Sequence, residues 1–162
     1  MPKGFLRWMG LVGSVVVLDQ LSKLAVLRAF QLGERLELTA FFNLILTYNP
    51  GAAFSFLADA GGWQKWVFVV LALAISVWIV ATIYRQPQVC LQSWALSLIM
   101  GGALGNVIDR FAYGAVVDFL DFHLGGQHFP AFNVADSAIT VGAILLVWEQ
   151  LTAPGDKSAK EV

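Results

Sequence analysis

Residues 66–83 read Trp66-Val67-Phe68-Val69-Val70-Leu71-Ala72-Leu73-Ala74-Ile75-Ser76-Val77-Trp78-Ile79-Val80-Ala81-Thr82-Ile83, an uncharged run closed by Lys65 on one side and by Tyr84 and Arg85 on the other. About twenty apolar residues in a helix cover the roughly 30 Å of hydrocarbon in a bilayer, so the run predicts a membrane-crossing helix. The rest of the chain agrees. Of its 162 residues 58% are hydrophobic and only 13% charged, whereas soluble domains carry roughly a quarter charged residues. So few charges cannot build a water-facing surface.

Working outward, candidate spans fall at about 8–28, 65–84, 93–111 and 134–152, giving a single polytopic domain over 1–162. The first follows Lys3 and Arg7 as a signal peptide would. It continues through Asp19 and Lys23 with no small-residue cleavage site, which reads as a retained helix. Four spans put both termini on one side. Lys3, Arg7, Arg85, Lys157 and Lys160 on that side face Arg28, Arg35, Lys65 and Arg110 on the other, a narrow vote for cytoplasmic termini. Trp8, Trp63, Trp66, Trp94 and Trp148 all fall near proposed helix ends, where an amphipathic ring prefers the interface. The tail, about 153–162, carries Pro154, Gly155 and mixed charge and reads as disordered.

The longer connections, about 29–64 and 112–133, share the external side on this topology. Residues 36–48 are rich in β-branched and aromatic types without Gly or Pro and read as strand. Residues 116–132 read as a hairpin about Gly125-Gly126. The expected fold class is therefore a mainly α membrane protein of four transmembrane helices with a small external β-rich cradle. Its ten Lys and Arg are scattered and its net charge is −1, so no basic patch exists for nucleic acid. Cys90, the only cysteine, cannot form an intramolecular disulfide.

Chemistry is sought among polar groups that the membrane makes costly: Asp19, Lys23, Asn106, Asp109, Arg110, Asp118, Asn133 and Asp136. Asp19 and Lys23 stand four apart, the acid first, which suits a neutralised pair near the interface. Gly101, Gly102 and Gly105 allow close helix packing, while Asn106 and Arg110 share a face as polar scaffold, Arg110 being placed to steady an acid across the bundle. Asp118 and Asp136 lack a basic neighbour in sequence. Strict alternation puts Asp118 on a face with Leu120 and Phe122, which should raise its pKa, and turns Asp121 away with His123. Asp136, three residues after Asn133 at the mouth of the last helix, should be favoured as an anion, with its pKa depressed. Two carboxyls in opposed environments suit aspartyl hydrolysis. The residues alone leave the plainer reading stronger, with Asp136 a helix cap and Asp118 a turn residue.

Five blocks then stand in order: Leu18-Asp19-Gln20-Leu21-Ser22-Lys23, Asn49-Pro50-Gly51-Ala52-Ala53-Phe54, Gly102-Ala103-Leu104-Gly105-Asn106-Val107-Ile108-Asp109-Arg110, Val116-Val117-Asp118-Phe119 and Phe132-Asn133-Val134-Ala135-Asp136-Ser137. In order and spacing they resemble the motifs of bacterial lipoprotein signal peptidase, signal peptidase II, from about residue 10 to 150. The resemblance implies an inner-membrane aspartic endopeptidase without cofactor. It would remove signal peptides from diacylglyceryl-modified prolipoproteins, cutting just before the lipid-modified cysteine. It implies Asp118 and Asp136 as the catalytic pair, with Asn133, Arg110, Asn106, Asp109, Asn49, Gly51, Asp19 and Lys23 supporting the site or contacting substrate. Membrane lipids and globomycin-like cyclic peptides are the implied further partners. Pro50 departs from the family, which more often has a hydroxyl residue there.

His123 and His128, five apart on opposite hairpin arms, lack the spacing of a zinc protease, so no metal is expected. The main rival is a small proton- or ion-coupled transporter, since intramembrane acids and bases also build relays. Against it, the chain is short, shows no repeat of two halves, and keeps its polar groups near one face. A non-catalytic membrane subunit would account for the glycines but not for two external carboxyls.

Overall fold

The computed structural model describes residues 2–51, 62–86 and 90–152. Ala52, Ala53 and Phe54 of the second block, Gly61, and the tail 153–162 lie outside them. Among the described residues there are four helices: α1 (Lys3–Ala29), α2 (Gln64–Arg85), α3 (Leu91–Ala112) and α4 (Val134–Thr152). Each is long and apolar enough to cross a membrane. Their outward faces are apolar too: Val70, Leu71, Val77 and Trp78 of α2 and Ile144, Val147 and Leu151 of α4 are all exposed. Only lipid solvates such a surface without cost.

Helix α3 is the centre, packing against α1, α2 and α4. Its glycines make this possible. A Cβ on Gly101 would lie 2.7 Å from Val15 Cβ of α1, one on Gly102 would strike the Ala135 carbonyl of α4, and one on Gly105 would come within 2.5 Å of Asp19 Oδ2. Gly142 answers from α4, with Ala95 O 2.6 Å from its hypothetical Cβ. Small residues thus bring backbones into direct contact where lipid supplies no hydrophobic drive. One core of Phe5, Trp8, Val12, Ile79, Ile83, Leu96 and Met100 joins α1, α2 and α3. Trp8 is buried edge-on against Trp94, whereas Trp63, Trp66, Trp94 and Trp148 are exposed.

The two strand-bearing connections form one antiparallel sheet in the order β1 (Arg35–Thr39), β2 (Phe42–Asn49), β3 (Val116–Leu124), β4 (Gln127–His128). The stretch expected as one strand is thus a hairpin. Its turn uses Thr39 Oγ1 as acceptor for the Phe41 N–H instead of Gly or Pro, which hid it from a composition reading. The second turn is the expected one, with Gly125 at φ 57° and Gly126 at φ 82°, both in the left-handed region glycine tolerates. A second core of Val26, Leu46, Val117 and Phe119 fixes the sheet to the end of α1.

The sheet is irregular where it matters. Pairing slips by one residue between Leu44↔Leu120 and Thr47↔Asp118, and the N–H groups of Phe119 and Leu120 both donate to Phe132 O. Such a bulge breaks strict alternation. Asp118 and Asp121, expected on opposite faces, consequently line one cavity.

Because the glycine contacts leave no room, Gly102→Ala and Gly142→Ala should each destabilise the protein by about 1–3 kcal/mol. Gly10→Ala, with nothing within 4 Å of its Cβ, should not lower the unfolding temperature. Thermal unfolding in detergent measures all three.

Candidate active site

The site grows from a buried ammonium. Lys23 Nζ of α1 donates to Asp19 Oδ2 at 2.8 Å, Asp109 Oδ2 at 2.8 Å and Asn106 Oδ1 at 3.0 Å, so all three of its donors are used. Asp19 and Asp109 are 0% exposed and Lys23 is 1% exposed, so the expected pair is formed and is enclosed by the protein. The carboxylates are satisfied in turn. Asp19 Oδ1 accepts the Ala135 N–H of α4 at 2.9 Å, and Asp109 Oδ2 accepts the Val117 N–H of β3 at 3.0 Å. Gln20 Nε2 lies 3.1 Å from Asp19 Oδ2 and 2.9 Å from Asp109 Oδ1. Sequence reasoning missed Gln20, although it stands inside the same polar block as Asp19 and Lys23.

This cluster orients two amides. Asn106 Oδ1 faces Lys23, so its Nδ2 points the other way and donates to Asp136 Oδ1 at 2.8 Å. Asn133 caps α4. Its Oδ1 accepts the Asp136 N–H at 2.9 Å, and its own N–H donates to Asp136 Oδ2 at 3.2 Å, the reciprocal pattern of a capping box. Asn133 Nδ2 then donates to Asp118 Oδ1 at 2.7 Å. One residue therefore touches both candidate carboxyls, and the plainer reading of Asp136 as a cap is also true.

Asp118 is 2% exposed. Burial, and after it the negative charge of Asp136, push its carboxyl up to about 7, against hydrogen bonds from Asn49 and Asn133 and the charge of Lys23. The raised value expected for Asp118 is found. The two environments are less opposed than expected, because both carboxyls share one polar cluster and Asp136 itself acts on Asp118.

Arg110 does not pair directly with an acid among the described residues. Its Nη2 donates to Gly51 O at 2.9 Å and its Nη1 to Asn106 O at 3.2 Å, with the guanidinium 5.1 Å from the centre of the Phe68 ring. Its charge still reaches Asp136, Asp109 and Asp118. Asn49 Oδ1 accepts the Gly51 N–H at 3.0 Å, a local turn that stands beside Pro50. His123 and His128 stack at 5.0 Å, and His128 Nδ1 is bound to Asp121.

Two cavities meet at the pair. One, of about 560 Å³, lies between α3, α4 and residues 129–132 and contains Asp136, with Val116, Phe132, Ile139 and Val141 among its walls. The other, of about 480 Å³, lies over the sheet and contains Asp118. Asn49 and residues 129–131 border both.

A family model described as "Signal peptidase (SPase) II" matches residues 11–152. The lipoprotein signal peptidase of Burkholderia vietnamiensis is 57% identical over 144 residues, covering 89% of this chain and 87% of the relative. That of Cupriavidus necator is 57% identical over 146 residues, covering 90% and 83%. A bacterial membrane enzyme solved by the in meso method at 2.3 Å resolution superposes with TM-score 0.82 at 34% identity, covering 96% of this chain and 94% of that one. The transporter alternative finds no support among these relatives.

Removing Lys23 strands two buried carboxylates. Lys23→Met should cost about 3–5 kcal/mol of stability, read by unfolding in detergent, and a loss below about 1 kcal/mol would contradict the pairing described.

Proposed function

From the premise that this chain belongs to the signal peptidase II family, we propose that it hydrolyses the signal peptide from diacylglyceryl-modified prolipoproteins with Asp118 and Asp136 as its catalytic pair. The family is one of membrane aspartic peptidases, and the chain is a multi-pass membrane protein. The observation that carries the assignment is Asn133 touching both carboxyls, each of which borders a cavity of its own.

Asp136, ionised, takes a proton from a water molecule held between the two acids. Asp118, protonated, donates to the scissile carbonyl oxygen. The raised value of Asp118 supports this division of roles. The water oxygen bonds to the carbonyl carbon, giving a tetrahedral intermediate. The C–N bond then breaks, with the proton on Asp136 passing to the departing amine of the lipid-modified cysteine and a hydroxyl proton of the intermediate returning to Asp118 as the C=O bond re-forms. The amides of Asn106 and Asn133 hold the carboxyls, and Arg110 holds the Gly51 backbone beside them. The apolar cavity between α3 and α4 suits a signal helix or acyl chain arriving sideways from lipid, and a globomycin-like cyclic peptide would compete there. With cytoplasmic termini, as the Lys and Arg count favours, the site faces the outer side of the inner membrane. Asp109, Asp19, Lys23, Asn49 and Gly51 act in this reading as supports and not as reacting groups.

The test is cleavage of a diacylglyceryl-modified prolipoprotein by purified protein in detergent. Asp118→Asn and Asp136→Asn, at equal folded amounts, should each lose at least about a thousandfold in kcat/KM, on the scale of losing a group that acts as one unit with its partner. Intact cleavage by either would move the chemistry elsewhere. If Asp118 is the acid, its protonated form is lost as pH rises through about 7, so kcat/KM falls on that alkaline side. Asn49→Ala removes a hydrogen bond that favours the ionised form and should move this limb to higher pH.

A further inference from the structure

The sheet carries a second polar group that the reaction above does not use. Asp121, 3% exposed, accepts His128 Nδ1 at 2.8 Å on Oδ1 and Asn43 Nδ2 at 2.9 Å on Oδ2. Arg35 of β1 comes no closer than 3.7 Å to Oδ2, and its side chain is 42% exposed. Asp121 is already served by shorter partners. Among the described residues Arg35 makes no tighter polar contact, so its planar fork of five donors is held near Asp121 but little used.

Arg35 also borders the sheet-side cavity. That cavity is lined from Asp118 past Thr47 and Ile45 to Asp121 and Arg35, and it shares Asn49 and residues 129–131 with the lining of the apolar cavity. Each cavity holds one of the two carboxyls. A polypeptide passing through both would place its reacting carbonyl at the junction and send its two ends into unlike surroundings. The apolar cavity between helices suits the signal segment. The sheet-side cavity, with charged groups at its far end, suits the polar chain beyond the cut.

Asp121, which Arg35 Nε approaches to 3.7 Å, stands three residues along β3 from Asp118, or about 10 Å at about 3.3 Å per residue of extended chain. We propose that the sheet-side cavity receives the polypeptide following the lipid-modified cysteine, and that Arg35 selects for an acidic side chain, and against a basic one, about three residues beyond the scissile bond. This rests on the peptidase reading above. Glu37 shares the β1 face with Arg35 but does not border the cavity, and the Asp121 side chain is 5% exposed where that of Arg35 is 42% exposed, so an arriving side chain meets the guanidinium before the carboxylate.

The experiment compares diacylglyceryl-modified prolipoproteins that differ only in carrying Asp, Asn or Lys at the third residue after the cysteine. The readout is the ratio of kcat/KM between substrates within each enzyme variant, which the folded fraction does not affect. Wild type should prefer Asp over Lys by about threefold to fivefold, the scale of a partly exposed ion pair. Arg35→Glu should reverse the order, and Arg35→Lys should keep it. The same ranking in wild type and Arg35→Glu overturns the role of Arg35 while leaving the peptidase reading standing. No cleavage of any of the three substrates by wild type overturns that reading and this proposal with it.

Discussion

A single ammonium group inside the bundle fixes the arrangement of everything around it. Lys23 is too strongly solvated in water to be buried at small cost, and its interior position is tolerable only because two carboxylates and an amide oxygen replace the water completely. The carboxylates come from different helices. Each also accepts a backbone N–H of another element: Asp19, on its other oxygen, from the start of α4, and Asp109, on the same oxygen, from the start of β3. Four segments of the chain are thereby tied to one charge.

The polar cluster also explains why the site can be precise in a protein whose packing is otherwise apolar and lipid-facing. Hydrogen bonds have direction where dispersion contacts have none, and the orientation of Asn106 is set by the cation behind it. Asn106 passes that orientation to Asp136, and Asn133 links Asp136 to Asp118. The glycines of α3 are the other half of this design. Gly105 leaves space where the Asp19 carboxylate must lie, so close packing and polar satisfaction are conditions on the same residue.

Much of this was legible in the sequence, because the strongest signals are those the membrane enforces. Long apolar runs gave the helices, and rare intramembrane charges pointed to Asp19, Lys23, Asp109 and Arg110. What the sequence could not supply were relationships across the chain. The third partner of Lys23 lies 86 residues from it, and nothing local to Lys23 names Asp109. The position of Trp8 near a helix end was visible, and its packing against Trp94 was not. The bulge opposite Phe132 depends on which backbone N–H groups find which carbonyl, so alternation alone misplaced Asp121 relative to Asp118. The tight turn after Thr39 was hidden because a side-chain hydroxyl did what Gly or Pro usually does.

The wide separation of these partners bears on how the chain is made. Lys23 emerges from the ribosome 86 residues ahead of Asp109, a delay of roughly 4–17 s at ordinary elongation rates. During that time α1 holds a charge in lipid without its later partner. The i,i+4 spacing of Asp19 and Lys23 lets α1 insert as an electrically neutral helix. When the two helices meet, Lys23 keeps Asp19 and gains Asp109. Neighbouring opposite charges thus act first as passports for separate insertion, and only afterwards as the fasteners of the assembled bundle.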